Sequence, residues 1–259
     1  MPLVANYLMK NSSTRNRIIS LIVVLILIIG WELLSRSFNS RQILPGPVDT
    51  ISSLISIVGK PDFLSSLGIT IFRGLVGFLL AFACAILIGI PSGMNPGFEA
   101  GFKPILITIR STPVIAIILL ALIWFHVDQV PVFIGFLTMF PILTINITQG
   151  IRETDPGLIQ MAHLYHIRKK RILTDIYWPS ILPFLFSGIS TSVGFGWRSV
   201  IIGEVLSQPR YGIGSMMQDA HSYLLVSEVI AWTLIAILVG AAFELIIRGV
   251  EKRSTVWKR

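Results

Sequence analysis

The sequence has a single cysteine, Cys84, among 259 residues. It cannot close an intramolecular disulfide, and a metal site built on cysteines is excluded. Cys84 lies in an apolar run and reads as packing. Charge is scarce too: Asp, Glu, Lys and Arg make up 13% of the chain, about half the share usual in soluble domains. Hydrophobic residues make up 53%, and the mean hydropathy is +0.78. A water-soluble fold of this length leaves too much of its chain exposed to hide that apolar surface, so lipid is the solvent that fits. A Gly-x-x-x-x-Gly-Lys-Ser/Thr loop is missing as well, so the chain has no P-loop to cradle nucleotide phosphates. Ser, His and Asp nowhere share a catalytic motif. His163 and His166 stand three apart with no third ligand nearby, and His126 and His221 are isolated, so neither catalysis nor a metal centre is expected.

What the chain does have is long apolar runs. A helix needs roughly 20 apolar residues to cross a bilayer, and six segments qualify: Ile18–Leu34, Leu67–Ile90, Pro104–Phe125, Val132–Gly150, Phe184–Leu206 and Val229–Val250. The first is long for a signal-peptide core, and no small-x-small cleavage site follows it, so it reads as a retained helix. The expected fold is an all-α polytopic membrane protein, a single transmembrane domain over residues 1–259 with an N-terminal tail at 1–17.

The 21 Lys and Arg residues orient it. With the N-terminus in the cytoplasm, fourteen fall inside: Lys10, Arg15, Arg17, Lys103, Arg152, Arg168, Lys169, Lys170, Arg171, Arg248, Lys252, Arg253, Lys258 and Arg259. Four fall outside: Arg36, Arg41, Lys60 and Arg210. Both termini are therefore expected inside, and the net charge of +8 reads as a topology signal rather than a nucleic-acid surface. Arg73, Arg110 and Arg198 fall within spans. Arg73 and Glu204 are placed to pair between helices. Arg198 either braces helices or faces an anion in the path. Glu32, Arg110 and Glu244 lie near span ends and are expected to snorkel.

The loop over residues 151–183 carries the most pattern. Asp155-Pro156 reads as an N-cap and first helical residue. Leu158, Ile159, Ala162 and Tyr165 recur at helical spacing, so a short amphipathic helix is expected, with Ala162 facing a partner closely. Arg168-Lys169-Lys170-Arg171 follows, and then Pro179 and Pro183, which are expected to break the chain before the fifth span. Such a helix docks on the lipid interface, on the protein's own core or on a partner subunit.

On these residues the chain resembles the permease subunits of binding-protein-dependent ABC importers, the nitrate/sulfonate/taurine group. That group carries Glu-Ala-Ala, a Gly four residues after the last Ala, and a Pro some thirteen residues on. Here Gln160, Met161 and Ala162 stand at Glu-Ala-Ala, His166 at the Gly and Pro179 at the Pro. Further patterns agree with the group: Arg73-Gly74-Leu75-Val76-Gly77-Phe78 with Gly89-Ile90-Pro91-Ser92-Gly93, Ile109-Arg110-Ser111-Thr112-Pro113, Phe140-Pro141 with Asn146, and Trp197-Arg198 with Tyr211-Gly212-Ile213-Gly214.

The resemblance implies that Gln160, Met161, Ala162, His163, Tyr165, His166 and Arg168 couple the chain to an ATPase. The implied assembly has a second permease, expected to be identical, two ATPase subunits that alone bind ATP and magnesium, and an extracytoplasmic solute-binding protein, in a bacterial cytoplasmic membrane. A path for a sulfonate-, nitrate- or taurine-like anion, or a vitamin-like heterocycle, would run along the small and polar residues of the fifth span: Ser190, Thr191, Gly194, Trp197 and Arg198. An ion-gradient-driven transporter is the alternative; it would show inverted repeats and interrupted helices.

Overall fold

The computed structural model describes residues 2–38 and 43–254, with side chains over 18–38 and 43–253. Arg41, Lys258 and Arg259 and the side chains of Lys10, Arg15 and Arg17, all counted in the topology argument, lie outside these. Every regular element among the described residues is helical. The order is α1 (Pro2–Ser37), α2 (Pro47–Val58), α3 (Phe63–Met94), α4 (Pro96–Ser111), α5 (Val114–Trp124), α6 (Val130–Arg152) and α7 (Pro156–Leu164). A single turn, α8 (Lys169–Arg171), and a π-helical turn, Ile172–Tyr177, lead into α9 (Trp178–Ser207); α10 (Ile213–Ser222) and α11 (Val226–Ser254) complete the described residues. Among the described residues five helical stretches are long and apolar enough to span a membrane, or six if the bent pair α4–α5 is one span.

Two expectations need correcting. The third span is not one helix: α4 and α5 meet at 96°. Pro113 has no N–H to continue the ladder and pushes its predecessor out of the helical region. Thr112 accordingly sits at φ −75°, ψ 130°, and Pro113 at φ −59°, ψ 128°. Two extended residues in succession turn the chain. Conversely, Pro179 and Pro183 do not interrupt α9. Pro179 occupies its first turn, where a missing N–H is tolerated, and the wider π-helical winding just before it carries the chain through without a break. The amphipathic α2 was not anticipated from the sequence.

Contacts divide the chain into two compact units, Met1–Lys60 with Asp219–Trp232, and Pro61–Gln218 with Thr233–Arg259. In the first, Trp31 donates its indole N–H to the Pro45 carbonyl (3.0 Å) and Ser35 donates to the Leu44 carbonyl (2.7 Å), fixing the turn that starts α2. Lys60 pairs with Glu228 at 3.0 Å.

The second unit is built on α6, packed between α3 and α9. Lipid tails are as apolar as leucine, so such helices associate by close packing rather than by the hydrophobic effect. Both seams are accordingly lined with small residues. On α3 these are Gly77, Ala81, Ala85, Gly89 and Gly93, at four-residue spacing. A methyl on Gly77 would sit 2.9 Å from the Val132 carbonyl of α6, and one on α9's Gly203 would sit 2.9 Å from Pro131 Cα. Leu143, Ile147, Met139 and Ile134 fill the interior between them, and Thr148 donates to the Gly89 carbonyl at 3.2 Å across the α3–α6 seam.

Candidate functional site

Where α3 begins and α9 ends, the second unit holds a buried polar cluster. Glu204 is fully buried and Arg73 is 3% exposed. Arg73 Nη1 donates to Glu204 Oε1 and to the Tyr211 carbonyl, each at 2.7 Å, and Nη2 donates to Asp128 Oδ1 at 2.6 Å. The Gly214 N–H donates to Glu204 Oε2 at 2.9 Å. Thr70 Oγ1 accepts from the Ile213 N–H (2.8 Å) and lies 2.9 Å from both Glu204 oxygens, with its one proton free to go there or to the Ser66 carbonyl. A buried charge pair is tolerated when its remaining lone pairs and protons are also satisfied, and both Glu204 oxygens have such further partners. Gly212 makes the approach possible: its φ is +154°, and a methyl there would fall 2.6 Å from the Glu204 carboxyl carbon. The cluster ties α3, the α5–α6 loop, α9, the loop before α10 and the start of α10 to one another.

Of these residues, Thr70, Asp128 and the Gly214 N–H were not foreseen. The Tyr211-Gly212-Ile213-Gly214 motif was visible in the sequence, but not that its backbone wraps a carboxylate 134 residues from Thr70.

Along α9, the residues read as a path line one groove but differ in burial. Thr191, Gly194 and Arg198 are exposed on one face, with Ser190 half-buried beside them. They line a groove of about 740 Å³ whose other wall is α11, including Gly240 and Glu244. Arg198 makes no hydrogen bond or ion pair with any described residue, whereas Glu244 pairs with Arg248 on its own helix. Trp197 is different: it is 7% exposed, donates to the Ala236 carbonyl at 2.9 Å and meets Phe243 edge-on with centroids 5.3 Å apart. It braces α9 against α11 and also lines the groove.

The helix α7 is capped at both ends. Asp155 Oδ1 accepts from the Gly157 N–H at 2.7 Å, with Pro156 in the first helical position. At the other end the Ile167 N–H reaches the Ala162 carbonyl (2.9 Å) and the His166 N–H reaches the His163 carbonyl (3.1 Å). This is the hydrogen-bond pattern of a Schellman stop, and His166 supplies its left-handed residue at φ +50°.

The apolar positions of α7 do not share one face. Ala162 is fully buried in the chain's own interior, which corrects the expectation that it meets a partner; the element that α7 packs on is the π-helical turn. The outward face carries Leu158, Met161, Leu164 and Tyr165, of which Leu164 and Tyr165 are 78% and 76% exposed. Gln160, His163, His166 and Arg168 are exposed as well. Leucine and tyrosine left bare on a rigid nine-residue helix beside four consecutive cations form a surface suited to a partner. Among the described residues no three His, Cys, Asp or Glu side chains converge as metal ligands.

Comparison with known proteins places this architecture. The chain is 27% identical to the provisionally named aliphatic sulfonates transport permease protein SsuC of Bacillus subtilis, over 92% of this chain and 87% of that one. It is 24% identical to the taurine transport system permease protein TauC of Escherichia coli (91% and 87% covered). It is 25% identical to the nitrate import permease protein NrtB of Synechocystis (89% and 86%). Residues 77–256, from within α3 through α7 and the α9 groove to α11, match the binding-protein-dependent transport system inner membrane components. The chain belongs to that family.

Proposed function

We propose that this chain is the permease subunit of an ATP-driven importer and that it forms, with a second copy of itself, the membrane path for a small organic or inorganic anion. In this reading a separate solute-binding protein delivers the substrate from outside. Two ATPase subunits beneath the membrane hold the ATP and magnesium. The anionic substrate class follows the sulfonate, taurine and nitrate named for the relatives and the unpaired Arg198 on the α9 groove. A vitamin-like heterocycle remains the alternative cargo.

The observation that carries the reading is α7. A helix stopped at both ends, anchored inward through Ala162 and offering Leu158, Met161, Leu164 and Tyr165 outward, has the form of a lever by which a second protein moves the chain. Both termini and the 151–183 loop are placed in the cytoplasm on the strength of the cation asymmetry. The experiment is copurification and crosslinking. A Leu164→Cys variant in a Cys84→Ser background should crosslink to a copurifying ATPase subunit. Crosslinks to lipid alone, with no ATPase retained, would remove the reading.

One observation favours a second reading. The interrupted pair α4–α5 is a device that ion-coupled transporters use at their binding sites. Uptake that survives ATP depletion but collapses with the ion gradient would select it.

A further inference from the structure

We propose a second anion site in the membrane path, centred on Arg110 at the break between α4 and α5, which takes a small singly charged oxyanion such as a sulfonate or nitrate. The inference rests on the reading of the chain as an anion importer's permease. Of the three arginines placed within spans by the cation count, Arg73 is held by Glu204, Asp128 and the Tyr211 carbonyl. Arg198 and Arg110 make no hydrogen bond or ion pair with any described residue. A cation left unpaired within an apolar run is a candidate for an ion or substrate pathway.

The break is what puts Arg110 on a cavity. Arg110 is the penultimate residue of α4, and the two extended residues Thr112 and Pro113 turn the chain by 96° directly after it. Arg110, Thr112 and Val114 thereby form one rim of a cavity of about 450 Å³, and Thr138 and Asn146 of α6 and Thr191 of α9 form the others. No carboxylate lines this cavity, so its only charge is positive.

The polar groups around it can donate. The Asn146 amide uses one N–H on the Ile142 carbonyl (2.8 Å), which leaves its second. Thr191 is exposed and carries a hydroxyl. The guanidinium fork matches two oxygens of one oxyanion. The volume suits a solute of a few heavy atoms with its hydration partly retained.

The position of the cavity gives the site its role. Thr191 and Phe195 line both this cavity and the groove of Arg198, so the two arginines stand on adjoining spaces. On its other side Arg110 borders a cavity of about 370 Å³ that holds Lys103, Glu153 and the Glu99–Arg152 ion pair, toward the α7 end of α6. Arg110 thus stands in the wall between the middle of the path and its cytoplasmic mouth. Two arginine sites in sequence would let the anion be handed on without binding too tightly at either.

The test uses the purified full chain in nanodiscs of phosphatidylcholine alone, so that no anionic headgroup competes. The probes are sodium nitrate and sodium ethanesulfonate, with choline chloride at matched ionic strength as the blank, read as the anion concentration that half-maximally raises the thermal midpoint. Arg110→Gln should raise that concentration about tenfold, the worth of one charge-assisted hydrogen bond, while Arg110→Lys should shift it much less. In an Arg110→Cys, Cys84→Ser chain, attaching an aminoethyl group through the thiol should restore binding, and attaching a sulfonatoethyl group should not.

Wild-type affinity in Arg110→Gln, rescue indifferent to the sign of the attached charge, or a response seen only when phosphatidylglycerol is added would each overturn the site. If Arg198→Gln abolishes uptake while Arg110→Gln alters neither binding nor uptake, the importer reading stands and this site falls. If the wild-type chain responds to neither probe, the anionic substrate class falls with it.

Discussion

Arg73 and Glu204 lie 131 residues apart in sequence and 2.7 Å apart in space, both shut away from solvent. Each has further partners, so the pair is one part of a network that joins three helices and two loops. Removing one member should therefore cost more than the pair is worth. Arg73→Met alone is expected to destabilise by about 3–5 kcal/mol, because it strands the buried Glu204 charge; Glu204→Leu should cost less, since Arg73 keeps Asp128. The double variant should recover a large part of that loss. Denaturant unfolding of the four proteins in mixed micelles gives the coupling directly; additive losses would mean that the two side chains do not depend on each other.

The helix seams make a sterically graded prediction. Gly77→Ala and Gly203→Ala each place a methyl 2.9 Å from the backbone of α6 and should destabilise by about 1–3 kcal/mol. Gly68→Ala, with nothing within 4 Å of the added atom, should be neutral or slightly stabilising. Equal melting temperatures for all three would show that the seams are looser than described.

At the stop of α7, His166 holds a left-handed conformation that glycine adopts freely. His166→Gly should keep the fold and stabilise it by about 0.5–1 kcal/mol. His166→Val should destabilise, since a β-branched side chain resists positive φ. Hydrogen exchange at the Ile167 amide, bonded to Ala162, reads the effect locally.

The two faces of α7 should behave differently. Ala162→Glu buries an unpaired charge in the chain's own interior, so expression and thermal stability should fall. Leu164→Glu changes an exposed position; the chain should insert and melt as the wild type does, but ATP-dependent uptake should be lost. Normal uptake in a well-expressed Leu164→Glu chain would argue against docking through this face.

Reporter fusions test the topology. Fusions at Lys60 and Arg210 should report an extracytoplasmic location, and one at Lys169 a cytoplasmic one. An extracytoplasmic Lys169 would put α7 beyond reach of any ATPase.

Much of this was written in the sequence alone. Apolar runs near 20 residues dictate spanning helices because no other solvent than lipid accommodates them. Asp155-Pro156 sets the start of α7, because an N-cap and a first-turn proline are local devices that act whatever surrounds them. The small residues of α3 and α9 could likewise be read as surfaces of close approach. Thr112-Pro113 carried the break between α4 and α5, but the long apolar run around it masked the local signal, and with it the placement of Arg110.

Tertiary structure alone decided the rest, because each remaining question concerned which groups share a neighbourhood. It brought Thr70 and the Gly214 amide to Glu204 and Asp128 to Arg73, although no local rule links residues in four separate elements. It turned Ala162 inward and Leu164 outward, since a helix with apolar residues on several faces is oriented by what it packs against. It also gave Trp197 to α11 and left Arg198 open to the groove. Adjacent residues on a helix point about 100° apart, and only the position of α11 determines which of the two it covers.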